Sequence, residues 1–259
     1  MNKHNSNTSF MKRISEEALN SSAVNHPYLH ALRDGTLPNI DLAFKDFAFQ
    51  YGLYSSKFVR YLSAVINNLS NTEHKQILQS NLDEEQGDTH DVELPPEVLA
   101  SVVGQAHSRL YHRFQVAIGV DAHYRKSTPQ CQTALLWSQQ FSQLCEMNEC
   151  VGVGAIGIGT ELIVFSIYNQ LLEGLKAHTD LTMTQRVFFD LHSECDQEHA
   201  AQMLLIAEDL AQSRGACEQI EYGVRMAIHM RTMFWDKMQE RALNMPATIK
   251  PSTERFSVV

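Results

Sequence analysis

Apolar residues recur along most of this chain at spacings of three and four. Phe44, Phe47, Tyr51, Tyr54, Phe58, Tyr61 and Leu62 form one such stripe, the pattern of a helix that buries one face. Runs of β-branched residues with a period of two are scarce. The prolines stand at positions 27, 38, 95, 96, 129, 246 and 251 and leave long uninterrupted segments between them, so the helix breakers fall where connections belong. The pattern predicts an all-α chain, with helices over about 40–68, 72–86, 96–118, 130–149, 151–176, 183–213 and 216–243. A short helix near 28–34 is expected to close at Gly35. Asn39 or Asp41 is the expected cap of the first long helix, and Thr182 or Thr184 that of the helix beginning near 183. Residues 1–20 are polar and read as a disordered terminus, 21–245 as a single helical domain of about seven helices, and 246–259 as a loose tail.

Composition narrows the partners. A hydrophobic fraction of 44% with 20% charged residues is that of a globular chain. A net charge of −9 argues against nucleic acid or an anionic membrane, since neutralising phosphates takes clustered Lys and Arg. A small molecule is the better default. Five cysteines without a CxxC pair do not make a disulfide framework or zinc knuckle, and they read as reduced thiols in a cytoplasm. No apolar leader is visible, and the most apolar run, "CVGVGAIGIG", soon meets Glu161.

The chemistry concentrates in "FFDLHSECDQEHAAQM". On a helix, His192, Asp196 and His199 fall within about 60° of one another, on a stripe shared with or flanked by Phe188, Phe189, Met203 and Leu204. Glu194 and Glu198 point elsewhere, toward solvent. A lone His on such a face is more often a satisfied core residue, but two bracketing an Asp each need a partner. In the preceding helix a single carboxylate, Glu161, sits deep among apolar residues and small glycines. An unpaired buried carboxylate is costly, so it requires a cation, a hydrogen-bonding network or a catalytic role. A metal would supply the cation, and so would Arg225 or Arg231. Glycines there would permit close helix packing or leave a void for substrate. Bundle proteins that hold two irons in the ferritin manner need two Glu-x-x-His pairs. Of the twelve histidines only His199 has an acid three positions earlier, Asp196, so a different helical scaffold is indicated.

The segments "NLDEEQGD" and "AHSRLYHRFQVAIGVD", followed by Glu161 and "FFDLHSECDQEHA", resemble the haem-oxygenase-like di-iron oxidase and oxygenase family. That family includes the Chlamydia protein associating with death domains and shares its helical scaffold with thiaminase and PQQ-synthesis proteins. Its pattern runs NL-x-x-E-x-G, then H-x-x-L-x-x-x-F-x-x-A-x-G, a mid-helix Glu, and His-x3-Asp-x2-His. The resemblance, from about residue 26 to 233, implies a haem-oxygenase-like bundle with Glu85, His107, Glu161, His192, Asp196 and His199 as metal ligands. Between Glu85 and His107 the chain carries about a dozen residues more than the family pattern, which leaves His90, Glu84 and Asp83 as competing ligands. The resemblance implies two Fe(II), with Mn as the other metal suited to mixed N and O donors. It also implies O2 as co-substrate, activated through a peroxo intermediate. Three carboxylates against two Fe(II) leave roughly one positive charge in the site. The implied reaction oxidises a small organic acid or amino-acid-derived metabolite, by carbon–carbon cleavage, decarboxylation or N-oxygenation. A homodimer is the implied assembly. A cofactorless, thiaminase-like enzyme and a non-enzymatic protein-binding relative are the alternatives on the same scaffold.

Tyr51, Tyr54, Phe165 and Tyr168 are candidates for a substrate cavity, although aromatic stripes are more often core, and Gln50 is a further candidate. Arg225 and Arg231 could clamp a carboxylate. Cys195 only flanks the ligand stripe and reads as structural. Leu29 and Leu171 stand where the Chlamydia branch carries its reactive Tyr and Lys, so that branch's self-modifying chemistry is not expected.

Overall fold

A computed structural model of the chain describes residues 3–88 and 94–247, with side chains described over 7–88, 94–192 and 198–247. Every regular element among them is a helix: α1 Lys3–Leu19, α2 Pro27–Asp34, α3 Ile40–Ser55, α4 Phe58–Asn68, α5 Thr72–Glu85, α6 Pro96–Val102, α7 His107–Ala117, α8 Ala122–Ser127, α9 Gln132–Met147, α10 Glu149–His178, α11 Met183–Leu210 and α12 Arg214–Leu243. The described residues thus form twelve helices, where the apolar pattern suggested about seven.

The difference has local causes. The stripe from Phe44 to Leu62 continues across a break at Ser56 and Lys57, and Ser55 and Ser56 are poor helix formers. The segment 96–118 is cut at Gly104, whose φ of 70° places it in the left-handed region and lets the chain restart at His107. Asp121 caps α8 by accepting from the Tyr124 amide at 2.7 Å. At the N-terminus the expected disorder is replaced by α1. Met11, Ile14 and Ala18 repeat every three to four residues and are buried, and Arg13 pairs with Glu221 on α12 at 2.7 Å. Asn39 caps α3, Thr182 stands at the N-cap of α11, and Gly35 ends α2 with φ 65°.

α10 is the axis of the molecule. It packs against α12 along one side and against α11 and α2 on others. It is long and apolar enough to cross a membrane, but 83% of its most apolar window is buried inside the protein. A Cβ on Gly154 would run into the backbone of Ile220, and one on Gly223 of α12 into the backbone of Val151. These two glycines let the helices touch backbone to backbone, so here the small residues serve packing. Within α10, Gly154–Glu161 form a π-helical stretch, a local widening that is rare and often sits at functional sites. Around this axis α11 packs against α5 and α7, while α3 and α4 pack against α9. The layers are tied by aromatic contacts such as Tyr51 stacked on Trp235, and by a bidentate pair of Arg241 on α12 with the buried Asp46 on α3 at 2.7 Å.

Candidate metal centre

Three helices bring Glu85, His107 and His192 to one buried point, where one ligand atom from each lies within 4.8 Å of the others. Glu85 is the last residue of α5 and His107 the first of α7. Two glycines make their meeting possible. Gly87 turns the chain with φ 110°, and a Cβ there would fall 2.9 Å from the backbone of Gly104 and Gln105. The chain on the two sides of the extra segment is therefore pressed together at Gly87 and Gly104. His107 Nδ1 donates to Glu85 Oε1 at 3.0 Å. His90, the rival ligand in that segment, lies outside the described residues, and Asp83 is exposed and bonded to Gln79 at 2.8 Å.

His192 enters from α11. Its Nδ1 donates to the Phe188 carbonyl at 2.6 Å, which fixes the tautomer and leaves the Nε2 lone pair free, 3.8 Å from Glu85 Oε1. Burial first, and then the neighbouring His107, push His192 down to about 3, so it is neutral at pH 7. Burial would raise Glu85, but His107 and His192 outweigh it and hold the carboxyl down to about 2. An ionised carboxylate beside a neutral imidazole with an open lone pair is the donor state that a divalent metal requires.

Glu161 ends the π-helical stretch of α10 and is buried. Burial lifts it to about 7 against the through-space pull of His199, His107 and Arg231, and no Lys or Arg forms an ion pair with it among the described residues. Arg225 is bound to Glu221 and Glu17 at the surface, at 2.6 and 3.2 Å. Arg231 is buried and reaches Tyr51 instead. Neither arginine is therefore the partner of Glu161. His199 lies next along the α11 stripe. Burial opposes its charge, but a 3.0 Å hydrogen bond from Nε2 to Glu84 Oε2, with Glu161 and Glu85 nearby, raises it to about 9. The side chain of Asp196, the third residue of the motif, lies outside the described ones. Glu198 is exposed, as its place on the wheel requires.

Beside Glu85, His107, Glu161 and His192 lies a narrow, partly open cavity of about 40 Å3, lined by Tyr51, Tyr54, Tyr111, Val164, Tyr168 and Phe188 among others. Three of the four expected cavity residues line it. Phe165 does not: on the helical wheel Thr160, Val164 and Tyr168 lie to one side of Glu161 and Phe165 to the other. Gln50 is used for structure, accepting from the Cys131 amide at 2.7 Å and donating to Asp46 at 3.1 Å. Ser108 and Thr160 also line the cavity, and their only sequence signal is adjacency to His107 and Glu161.

Residues 45–232 match the family described as iron-containing redox enzyme, and the chain belongs to that family. No curated protein sequence matches it. Among solved structures it is similar to a CADD-like protein of unknown function from Nostoc punctiforme, with a TM-score of 0.73 at 16% identity over 92% of this chain and 99% of the other. It is also similar to a domain of unknown function with a heme oxygenase-like fold from Shewanella denitrificans, TM-score 0.68, 13% identity, covering 94% and 98% of the two chains. A TenA homolog from Pseudomonas syringae matches with TM-score 0.68 at 12% identity over 91% of this chain and 92% of that one. At such identities these likenesses establish the fold, an all-helical heme-oxygenase-like one.

Proposed function

We propose that the protein is a non-haem di-iron oxidase or oxygenase that uses O2 to oxidise a small organic acid or amino-acid-derived metabolite. The observation that carries the proposal is the buried Glu85, His107 and His192 cluster on the wall of a cavity, in a chain of an iron-containing redox family. The donor chemistry fits a metal: Glu85 is ionised, His192 is neutral with its second nitrogen anchored, and Glu161 is a buried carboxylate that no Lys or Arg pairs with among the described residues. In this reading Glu85, His107, Glu161, His192, Asp196 and His199 hold two irons, and Glu84 steadies His199 through its proton. Iron, when bound, supplies the electrons that O2 accepts. The chain's own part is to exclude water with Tyr51, Tyr54, Tyr111 and Phe188, and to hold substrate in the cavity. Carbon–carbon cleavage, decarboxylation and N-oxygenation are the reaction outcomes in view.

The test is rapid mixing of the anaerobic Fe(II)-loaded protein with O2. The expected result is O2 uptake with a transient visible absorption that disappears in His192→Ala. No uptake by the loaded wild type, or the same trace in His192→Ala, contradicts the proposal. A protein that takes up no iron yet retains the cavity would instead fit a cofactorless, thiaminase-like chemistry.

A further inference from the structure

The interior contains a permanent cation that forms no ion pair among the described residues and acts on the buried Glu161 only through space. Arg231, on α12, is 1% exposed, and no carboxylate pairs with it among the described residues. Its Nη1 donates to the Tyr51 hydroxyl at 3.4 Å, while Nε and Nη2 have no acceptor. The guanidinium lies 5.6 Å from the ring centre of Tyr54 and 5.1 Å from that of Trp137, and the Trp137 indole N–H is also without an acceptor. Aromatic faces attract the charge but accept none of these N–H groups in their plane. Guanidinium does not lose its proton in proteins, so the charge cannot be relieved that way. An incompletely compensated buried charge is costly, so an anion entering beside it is stabilised.

The cation stands behind the cavity wall. Tyr51 and Tyr54, its two tyrosine neighbours, both line the cavity that Glu85, His107 and His192 also line. The Tyr51 hydroxyl also shares a 2.8 Å hydrogen bond with the hydroxyl of Tyr168, a third lining residue.

We infer that this tyrosine wall of the cavity is an anion subsite, in which Tyr51 and Arg231 receive the carboxylate of a small organic acid. Tyr51 already accepts from Arg231, so its own proton can turn from Tyr168 to a carboxylate oxygen in the cavity. Arg231 balances that charge from behind. The remainder of the molecule then points toward Glu85 and His192. A neutral amide or alcohol of equal length leaves the guanidinium uncompensated and is rejected. The assignment of this anion as substrate rests on the proposed function, whereas the subsite itself requires no metal.

The probe is butanoate, with butanamide as the neutral control, titrated into the full-length metal-free protein while tryptophan fluorescence is followed, since Trp137 lies in the cluster and Trp235 stacks on Tyr51. Butanoate is expected to give a saturable change and butanamide none. Arg231→Met should weaken butanoate binding by about tenfold or more, with Arg231→Lys retaining part of it. Tyr51→Phe, which preserves ring and volume, should also weaken it, and it decides the matter if Arg231→Met does not fold. Equal responses to butanoate and butanamide, or wild-type butanoate binding in the folded variants, would overturn the inference. Iron stoichiometry separates the two proposals: butanoate binding by a protein that takes up no iron supports the subsite and removes the oxidase reading.

Discussion

His192 combines three properties in one side chain: its Nδ1 proton is held by Phe188, its Nε2 faces Glu85, and its burial keeps it neutral. The last sets a pH dependence. With its folded value at about 3, below the ordinary 6.5, the unfolded chain binds a proton that the folded one refuses. Stability therefore falls as pH drops from about 6.5 toward 3. Glu85, held at about 2, adds a contribution that is present above the ordinary carboxyl value and is lost as pH falls toward 2. Urea midpoints of the metal-free protein should decline over this range, and His192→Gln should flatten the upper part of the decline. An unchanged slope in the variant would show that His192 is not the buried neutral group described. His199 behaves oppositely. Raised to about 9 by Glu84 and its neighbours, it is protonated at pH 7, so metal uptake must release protons. Calorimetry in two buffers of different ionisation heat should register that release at pH 7, and His199→Gln should reduce it.

At this scale the sequence was informative where candidate ligands share a helix. His192 and His199 lie on one stripe, and Glu161 stands out as a carboxylate in an apolar helix. Glu85 and His107 were legible only through the residues around them, because their contact is made by two glycine turns across a segment of variable length. Glu84 carried no mark that set it apart from Asp83. Its role as partner of His199 depends on how α5 and α11 pack.

Among the elements, the breaks matter most. Gly104 and Gly87 are both in left-handed conformation, and between them they seat His107 beside Glu85. Gly87→Ala places a Cβ against the backbone of Gly104 and Gln105, at a φ that L residues avoid. It should weaken metal binding by at least about tenfold while costing the fold only about 1–3 kcal/mol, as metal titration beside thermal unfolding would reveal. Gly223→Ala should act on the fold instead. Its Cβ meets the Val151 backbone, which cannot swing aside as a side chain would, so a loss of about 1–3 kcal/mol or more is expected in denaturant unfolding. The apolar spacing identified most helices but not their interruptions. A stripe can run on through Ser56 because the two shorter helices bury the same side. The π-helical stretch leaves even less trace, since one extra residue per turn changes no residue type.

For the whole molecule, the fold class was legible because helical periodicity and proline placement depend on local physics. The number of helices was not, since it depends on where tertiary packing bends the chain. The polar character of residues 1–20 concealed the short apolar face of α1, which is buried only because α10–α12 provide a surface for it. The closure of the bundle relies on Asp46, 1% exposed at its side chain, bound by Arg241, whose side chain is 26% exposed. Asp46→Asn should cost about 2–3 kcal/mol, less than a fully buried pair because water screens Arg241. It should leave the metal site intact, and a urea melt together with a metal titration would establish both points.

The proposed two-iron centre is tested most directly by the number of Fe(II) ions bound per chain under anaerobic conditions, in the wild type and in Glu85→Gln and His192→Ala. About two per chain are expected in the wild type, with a clear loss in both variants. A wild-type protein that binds none, or variants that bind as the wild type does, would contradict it.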